Sequence, residues 1–324
     1  MSRRDLIDPD ARQPLDLLQQ AIPGGFNTIP DIVERRTTVS GLLAAMEVPP
    51  NPNVTSEDQS VPGPDGAPDI KVRIYRPVDA TGTLPGIYYI HGGGMILGDL
   101  DGEDAVAASI CEHADAVVVS VEYRLAPEHP FPAGLDDAIA AIAHVGAHAA
   151  DLGIDAARLG VCGDSAGGTL TAAACHSLSR AAKPLPALQL LLCPILDYSR
   201  RTGSRAELAS GHLIDQDTLD HDLEHYAPNG ADPEDERISP LRAADLGGMP
   251  PTIVHTAEFD PLRDEGKDYY DRLRQTGSAL TYTCHPGMIH LFYGLGAVIP
   301  YARTAFEKMG AEIRAALRKS GVTE

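Results

Sequence analysis

The chain has 324 residues, of which 43% are hydrophobic and 22% charged, and its formal net charge is −20 at pH 7. This is the composition of a folded globular protein rather than of a disordered one. The acid excess argues against a nucleic-acid partner, because phosphates are bound by clustered Lys and Arg, and it mildly disfavours anionic substrates.

The cysteines are scattered and lack the CxxC spacing of metal sites. Most occupy apolar segments, which predicts buried, reduced thiols rather than a disulfide framework. They are Cys111, Cys162, Cys175, Cys193 and Cys284. The sequence shows neither an apolar signal-peptide core near Met1 nor a run of about 18 apolar residues. These features predict a cytoplasmic protein that does not associate with membranes.

Residues 1–46 contain two amphipathic stretches with helical spacing, Pro14–Ala21 and Ile29–Met46. Their apolar faces are too small to form a separate hydrophobic core, so they need a partner surface. We expect these N-terminal helices to pack over the mouth of a binding site as part of a cap. A Pro/Asn-rich break, Val48–Val54, and a turn-rich segment, Val61–Pro68, follow them.

Strands and helices then alternate. The predicted strands are Ile70–Arg76, Gly86–His91, Ala116–Glu122, Leu159–Gly163, Ala187–Cys193, Pro251–Ala257 and Ala279–His285. The predicted helices are Glu103–His113, Ala133–Ala150, Thr169–Ala181, Arg263–Thr276 and Ile299–Lys319. Because several strands are continuously apolar, this order predicts βαβ units and a mostly parallel, buried sheet flanked by helices, an α/β fold.

One segment interrupts the alternation. Residues 197–245 contain no predicted strand, are rich in Asp and Glu, and have one helical patch near Thr218–Tyr226. We interpret this segment as an insertion that forms a lid together with residues 1–46. The catalytic domain would then comprise residues 47–196 and 246–324.

Ser165 lies in the pentapeptide Gly163-Asp164-Ser165-Ala166-Gly167, between an apolar strand and a helix-permissive segment. Glycines on both sides of a serine leave room for a tight strand-to-helix turn that exposes the hydroxyl, the nucleophile elbow. The pentapeptide alone is a weak signal, but its position between strand and helix makes Ser165 the candidate nucleophile.

Three consecutive glycines, Gly92, Gly93 and Gly94, follow His91 at the end of the Gly86–His91 strand. Backbone N–H groups in such a loop can converge on one point without obstruction by Cβ atoms, as an oxyanion hole requires. A triple glycine by itself indicates a flexible loop. Its combination with a buried strand and a serine elbow favours an oxyanion hole over a flexible loop.

A triad acid belongs at the carboxyl end of a strand, and four acids compete for that role after the Pro251–Ala257 strand. Asp264 and Glu265 begin a helix, where carboxylates commonly serve structural roles. Glu258 lies nearer the strand, and Asp260 is our choice for the acid.

His290 is the candidate general base, because it follows the last strand and completes the order Ser, Asp, His. Its rival His285 precedes Pro-Gly at the strand end and is interpreted as a loop histidine. The spacing of His144 and His148 is that of a metal pair, but the chain there lacks the Glu of HExxH and a third ligand. We therefore expect no metal and no organic cofactor.

These motifs closely resemble those of the hormone-sensitive-lipase family of α/β-hydrolase esterases. The resemblance extends from Leu84 to Phe292, and YRLAPE is its most family-specific string. The matching strings are HGGG (91–94), YRLAPEHPFPA (123–133), GDSAGG (163–168), DPLRDEG (260–266) and His290-Leu291-Phe292. The resemblance implies an α/β-hydrolase fold with a helical cap and a mostly parallel central sheet.

The resemblance also implies a role for each matched residue. Ser165 is the nucleophile, His290 the general base and then acid, and Asp260 the residue that orients it. N–H groups of residues 92–94, favouring Gly93 and Gly94, and of Ala166 form the oxyanion hole, and His91 holds the glycine loop. Met95 stands where the family usually has an aromatic residue. Met95 and Asp164 are the candidate substrate-binding residues.

The expected function is a serine carboxylesterase that hydrolyses short- to medium-chain esters through an acyl-enzyme. A lactone, amide or carbamate hydrolase would use the same triad, and the motifs do not separate these reactions. A ligand receptor on this fold would be expected to lose a triad member, whereas this chain keeps all three candidates. The expected partner is a small-molecule ester, and a homodimer is expected only by analogy with related esterases.

Overall fold

A computed structural model describes residues 3–201, 203–228 and 230–318. The predicted helix end at Lys319 and the first two residues of the predicted cap lie outside this part of the chain. None of the helices described is long and apolar enough to cross a membrane.

The described residues form one sheet with the strand order β1-β2-β4-β3-β5-β6-β7-β8. Its strands are β1 (Val54–Val61), β2 (Ile70–Pro77), β3 (Leu84–Ile90), β4 (Val117–Glu122), β5 (Ile154–Asp164), β6 (Leu188–Leu192), β7 (Thr252–Phe259) and β8 (Ala279–Ile289). β2 is antiparallel to both of its neighbours, and β4, β3, β5, β6, β7 and β8 are parallel. The predicted, mostly parallel α/β sheet is confirmed.

The helices cover both faces of the sheet. They are α1 (Pro9–Ala21), α2 (Ile32–Ala44), α3 (Asp104–Ala114), α4 (Ala133–Ala147), α5 (Ser165–Arg180), α6 (Ser204–Glu207), α7 (Gln216–Tyr226), α8 (Arg263–Thr276) and α9 (Tyr301–Ala316). Residues of α4, α5 and α8 pack in the core on one face, and residues of α3 and α9 pack on the other.

Strand β3 shows why its sequence is almost uninterruptedly apolar. Successive side chains of a strand point to opposite faces. Tyr88 and Ile90 accordingly join the core on one face, while Ile87 and Tyr89 join the core on the other. All four side chains are fully buried, as expected for a parallel strand covered by helices on both sides.

The register of the parallel strands brings their carboxyl ends to one edge of the sheet. Ile90 pairs with Gly163, and Asp164 pairs with Leu192. Phe259 pairs with Ile289 farther along the same sheet. The glycine loop, the serine elbow, Asp260 and His290 each follow one of these residues in the chain, so all four reach the same edge.

Strand β1 was not predicted from the sequence. Its residues between Val54 and Val61 are polar and exposed, because β1 is an antiparallel edge strand whose outer side faces solvent. Several elements also begin or end at other residues than predicted. Strand β5 begins at Ile154, earlier than predicted, and helix α5 begins at Ser165 instead of Thr169.

Candidate active site

Ser165 occupies a strained turn between β5 and α5. Its φ angle is +50°, a left-handed conformation that non-glycine residues rarely adopt. The turn is so tight that a Cβ on Gly163 would lie 2.2 Å from the carbonyl oxygen of Gly167. A Cβ on Gly167 would likewise lie 2.0 Å from the carbonyl oxygen of Ile90. The sequence Gly-x-Ser-x-Gly is therefore required by space, and the structure has the nucleophile-elbow geometry.

His290 connects Ser165 to Asp260. Its Nε2 lies 3.0 Å from Ser165 Oγ, and its Nδ1 lies 2.8 Å from Asp260 Oδ2. With Asp260 as an acceptor, the network assigns the ring proton to Nδ1 and leaves Nε2 to accept the serine proton. The other carboxylate oxygen of Asp260 accepts the N–H of Leu262 at 2.8 Å. The three predicted residues are thus brought together in the order that a triad requires.

The competing acids have other partners. Asp264 Oδ2 accepts the backbone N–H of Ser204 at 2.7 Å, which ties α8 to α6. Glu265 is buried and pairs with Arg205 at 3.2 Å, and burial raises the pKa of Glu265 to about 7. Glu258 accepts the N–H of Gly287. These contacts are structural and leave Asp260 as the acid next to His290.

His285 faces away from Ser165. Its Nε2 lies 2.9 Å from His255 Nδ1, and its Nδ1 lies 3.1 Å from the hydroxyl of Tyr301. Burial, with His255 nearby, lowers the pKa of His285 to about 3, so the ring is neutral at physiological pH. Its partners and its charge state are those of a structural histidine.

His91 and Tyr123 hold the glycine loop. His91 Nδ1 lies 2.8 Å from the carbonyl oxygen of Gly92, and the His91 and Tyr123 rings stack with centroids 4.4 Å apart. The Tyr123 hydroxyl donates to the carbonyl oxygens of His91 and Gly92 at 3.1 and 3.3 Å. Burial lowers the pKa of His91 to about 4. The YRLAPE string, which follows β4, therefore has a physical role in shaping the loop.

A cavity that is partly open to solvent contains Ser165 and His290. Gly93 and Gly94 line it, whereas Gly92 is not among the described residues that do so. Because the first N–H groups of a helix have no partner within it, the N–H of Ala166, at the start of α5, is available for a ligand. Gly93, Gly94 and Ala166 are therefore candidate oxyanion-hole donors, and their role stays a prediction.

Both predicted cap segments reach this cavity. Residues 1–46 contribute Phe26, Val39 and Leu43 to its lining, and residues 197–245 contribute Leu213 and Leu219. Leu15, Leu18 and Ile22 of the first segment are buried, as the amphipathic pattern indicates. The assignment of the two segments to a cap remains a proposal.

Met95 does not lie where the sequence interpretation placed it. It is 1% exposed, packs in the same face of the core as Ile96 and Tyr123, and does not occur among the described residues that line the cavity. Its φ is +67°, and its carbonyl oxygen accepts the N–H of Ala126 at 2.9 Å. The backbone thus turns this side chain into the core, and we do not carry Met95 forward as a substrate contact.

Asp164 does line the cavity, and with it three acids that the sequence reasoning missed, Glu47, Glu103 and Asp222. Burial raises the pKa of Asp164 to about 6, although hydrogen bonding to Tyr89 and the proximity of His290 lower it. Burial also raises the pKa of Glu47 to about 7 and places that of Glu103 well above its usual range. No motif identifies Glu47 or Glu103, because only the folded chain brings them beside Ser165.

Cys193, Asp260 and His290 each offer one atom that could bind a metal, and these atoms lie within 4.8 Å of one another. Two of them, however, already form the 2.8 Å hydrogen bond between His290 and Asp260. Burial raises the pKa of the Cys193 thiol well above its usual value, which disfavours the thiolate that a metal would need. The close approach of His290 and Asp260 is explained by the hydrogen bond through which Asp260 orients His290.

Comparison with known proteins gives consistent matches. A family described as the alpha/beta hydrolase fold matches residues 87–294. Carboxylesterase NlhH of Mycobacterium tuberculosis is 38% identical over 98% of this chain and 99% of its own length. Ethyl acetate hydrolase of Pseudomonas putida is 37% identical over 72% of this chain and 74% of its own length. The structure of an ester hydrolase from the metagenome of Lake Arreo has a TM-score of 0.90 at 39% identity, over 95% of this chain and 98% of that one.

Proposed function

The chain belongs to the hormone-sensitive-lipase type of the α/β-hydrolase family and is a carboxylic ester hydrolase, and we propose that Ser165 is its nucleophile. The observation that carries this proposal is the continuous chain of hydrogen bonds from Ser165 through His290 to Asp260. The elbow conformation of Ser165, with its positive φ, gives independent support, because the residue lies on the wall of the cavity at the carboxyl edge of the sheet.

In the proposed reaction, Ser165 Oγ attacks the ester carbonyl carbon while His290 Nε2 takes its proton. The C–O bond to the alcohol then breaks as His290 returns that proton to the leaving alkoxide oxygen. Water next attacks the acyl-enzyme with His290 again as base, which releases the carboxylic acid and restores Ser165. Asp260 stabilises the imidazolium that forms in both halves of the reaction.

The negative charge of each tetrahedral intermediate is assigned to the N–H groups of Gly93, Gly94 and Ala166. The first two residues line the cavity that contains Ser165, and the third is the second residue of the helix that begins at Ser165. Preorganised donors of this kind contribute roughly 10²–10³ in kcat each.

Substrates are proposed to be small esters with short to medium acyl chains that enter below a cap formed by residues 1–46 and 197–245. Aliphatic and aromatic side chains of both segments line the cavity, which supports this assignment. The cysteines of the described part are all free, and four of them are buried, which fits the reducing cytoplasm. A homodimer stays a prediction that size-exclusion chromatography would test.

The decisive experiment compares Ser165→Ala with wild type on a panel of p-nitrophenyl esters of increasing acyl length. Loss of the nucleophile is expected to lower kcat by roughly 10³–10⁶. Ser177→Ala is the matched control, since it removes a partly buried hydroxyl from the same helix, where it donates to the Ala173 carbonyl oxygen. Near-normal turnover by a folded Ser165→Ala protein would refute the assignment.

A further inference from the structure

A phenol hydroxyl lies between two carboxyl groups directly behind the nucleophile elbow. Tyr89 Oη is 2.7 Å from Asp164 Oδ1 and 2.9 Å from Glu103 Oε2. Tyr89 and Asp164 are completely buried, and Glu103 is partly buried at the wall of the cavity that contains Ser165. The three groups come from β3, from the end of β5 and from the residue before α3.

Donor counting fixes the number of protons in this group. A phenol has one proton to donate, whereas two ionised carboxylates would both require one from it. Both oxygen–oxygen distances are those of separate, unshared hydrogen bonds, shorter than the 3.1 and 3.3 Å contacts over which Tyr123 shares its proton, so we assign a second proton to one of the two carboxyl groups. The shorter contact, to Asp164, suits an O–H donating to a charged carboxylate. The proton therefore belongs on Glu103, which donates to Tyr89, which in turn donates to Asp164.

The surroundings favour this arrangement. The ionisable groups that act on Glu103 are Asp164, Tyr89, Glu47 and Asp99, and those that act on Asp164 include Tyr89 and His290. Cys162, Tyr123 and Tyr293 are further ionisable neighbours of this group. Arg35, a cation on the same cavity, is paired with Asp222 at 2.9 Å. The pKa of Glu103 is raised, first by burial and then by Asp164, which favours its protonated form.

Asp164 links this group to the catalytic loops. It immediately precedes Ser165, and its side chain does not cap α5. Instead, its Oδ2 packs against the glycine loop, where a Cβ on Gly92 would lie 2.5 Å away. A change in the charge or position of Asp164 therefore acts on the oxyanion loop and on the elbow together.

We propose that Glu103 is a positioning residue that remains protonated during turnover and, through Tyr89, holds Asp164 between the glycine loop and the elbow. This role rests on the proposed function of Ser165. A protonated Glu103 leaves one negative charge, that of Asp164, instead of two beside the site where an oxyanion develops. When Glu103 loses its proton at alkaline pH, the chain of donors breaks and a second charge appears next to that site.

The proposal predicts a pH profile. The hydrogen-bond distances assign a proton to Glu103, and folding raises its pKa, so that proton is lost as the pH rises through the raised pKa. Wild-type kcat/KM is therefore expected to fall by about tenfold on the alkaline side, less than the loss of one oxyanion donor causes.

The test measures kcat/KM against pH for wild type, Glu103→Gln and Glu47→Gln, with p-nitrophenyl butyrate and subtraction of the uncatalysed rate. The amide of Glu103→Gln can donate to Tyr89 but cannot ionise, so its activity at neutral pH is expected within about twofold of wild type, without the alkaline fall. Glu47→Gln is the matched control. It removes an acid from the same cavity that does not contact Tyr89, and the alkaline fall is expected to remain, shifted slightly to lower pH.

A readout independent of catalysis accompanies the profiles. The infrared difference spectrum of wild type minus Glu103→Gln at neutral pH should show the carbonyl stretching band of one buried protonated carboxylic acid, because other acids with a raised pKa, such as Glu265, contribute equally to both proteins and cancel. Superimposable pH profiles of wild type and Glu103→Gln would overturn the proposal. So would a loss of more than tenfold at neutral pH in a folded Glu103→Gln protein, because it would show that the ionised form is needed. An active Ser165→Ala protein would instead refute the proposed function and leave the infrared result unaffected.

Discussion

Arg35 and Asp222 form a buried ion pair that joins the two segments above the cavity. Arg35 Nη2 lies 2.9 Å from Asp222 Oδ1, and the side chains are 1% and 8% exposed. Arg35 belongs to α2 and Asp222 to α7, so this contact connects residues 1–46 to the insertion of residues 197–245. A Cβ on Gly94 would lie 2.1 Å from Asp222 Oδ2, which places the same carboxylate against the glycine loop.

Removal of one member of this pair is expected to destabilise the protein strongly. Arg35→Met leaves the Asp222 carboxylate buried without its cation, and breaking such a pair costs about 3–5 kcal/mol of unfolding free energy. Denaturant unfolding would measure the loss. Arg303→Met is the control, because Arg303 pairs with Glu307 on the surface, where a pair contributes about 0–1 kcal/mol. The double variant Arg35→Met/Asp222→Leu should recover much of the loss, and equal destabilisation by the double and single variants would contradict this account.

Asp260→Asn is expected to impair catalysis far more than Asp264→Asn. The first change removes the anion 2.8 Å from His290 Nδ1, and such a change lowers kcat by about 10⁴ in comparable triads. The second weakens the 2.7 Å bond from the Ser204 N–H, a loss of about 1 kcal/mol in stability with kcat nearly retained. Steady-state kinetics on both variants, with thermal melting to confirm folding, gives the ranking. The reverse order of kcat values would move the triad acid to Asp264.

The motif residues were predictable from the sequence because each is constrained by local geometry. The elbow needs glycines at 163 and 167 for space, and the oxyanion loop follows a buried strand, so both appear as short patterns. The order Ser165, Asp260, His290 and the parallel register of the strands then bring the three side chains to one edge.

Other features depend on tertiary contacts that no short pattern records. Strand β1 is a polar edge strand with only Val61 buried, so it lacks the apolar signal of the central strands. Glu47 and Glu103 reach the cavity from two different loops, and Arg35 meets Asp222 across 187 positions of sequence. Met95 follows the glycine loop directly, yet its positive φ turns the side chain into the core.

Buried neutral histidines are expected to make stability depend on pH. Burial lowers the pKa of His176 from 6.5 to about 4, and the ring bonds the Tyr269 hydroxyl at 2.9 Å. Below pH 6.5 the unfolded chain binds a proton at His176 that the folded chain does not. The unfolding free energy therefore falls by about 1.4 kcal/mol per pH unit for each such histidine, until the pH reaches the pKa of the folded state. Buried acids such as Glu265, with a raised pKa, change stability in the opposite direction, so the total slope does not isolate His176.

The comparison of His176→Gln with wild type isolates the contribution of His176 to the pH dependence of stability. The variant keeps a partner for Tyr269 but cannot titrate, so its unfolding free energy relative to wild type should rise by about 1.4 kcal/mol per pH unit as the pH falls from 6.5 towards 4. Urea unfolding at several pH values measures this difference. Ser177→Ala, in the same helix, removes no titratable group, so it serves as the control and should show a constant difference. A constant difference for His176→Gln as well would mean that the buried ring titrates normally.

The cavity is expected to favour acyl chains of up to roughly eight carbons over long-chain triglycerides. It is lined in part by side chains of the two proposed cap segments, which the buried Arg35–Asp222 pair joins, and carboxyl groups of Glu47 and Glu103 interrupt its apolar wall. Each further methylene of the acyl chain that packs against apolar surface contributes about 0.8 kcal/mol of binding free energy. A methylene that meets these carboxyl groups contributes nothing.

A lipase at an oil–water interface also benefits from a large apolar docking surface, whereas this protein has no tryptophan, five phenylalanines and a net charge of −20. We therefore expect kcat/KM for p-nitrophenyl esters to fall beyond about eight carbons, with little activity on emulsified triolein. Efficient triolein hydrolysis with a jump in rate above the solubility limit would show that the segments open at an interface and that the protein is a lipase.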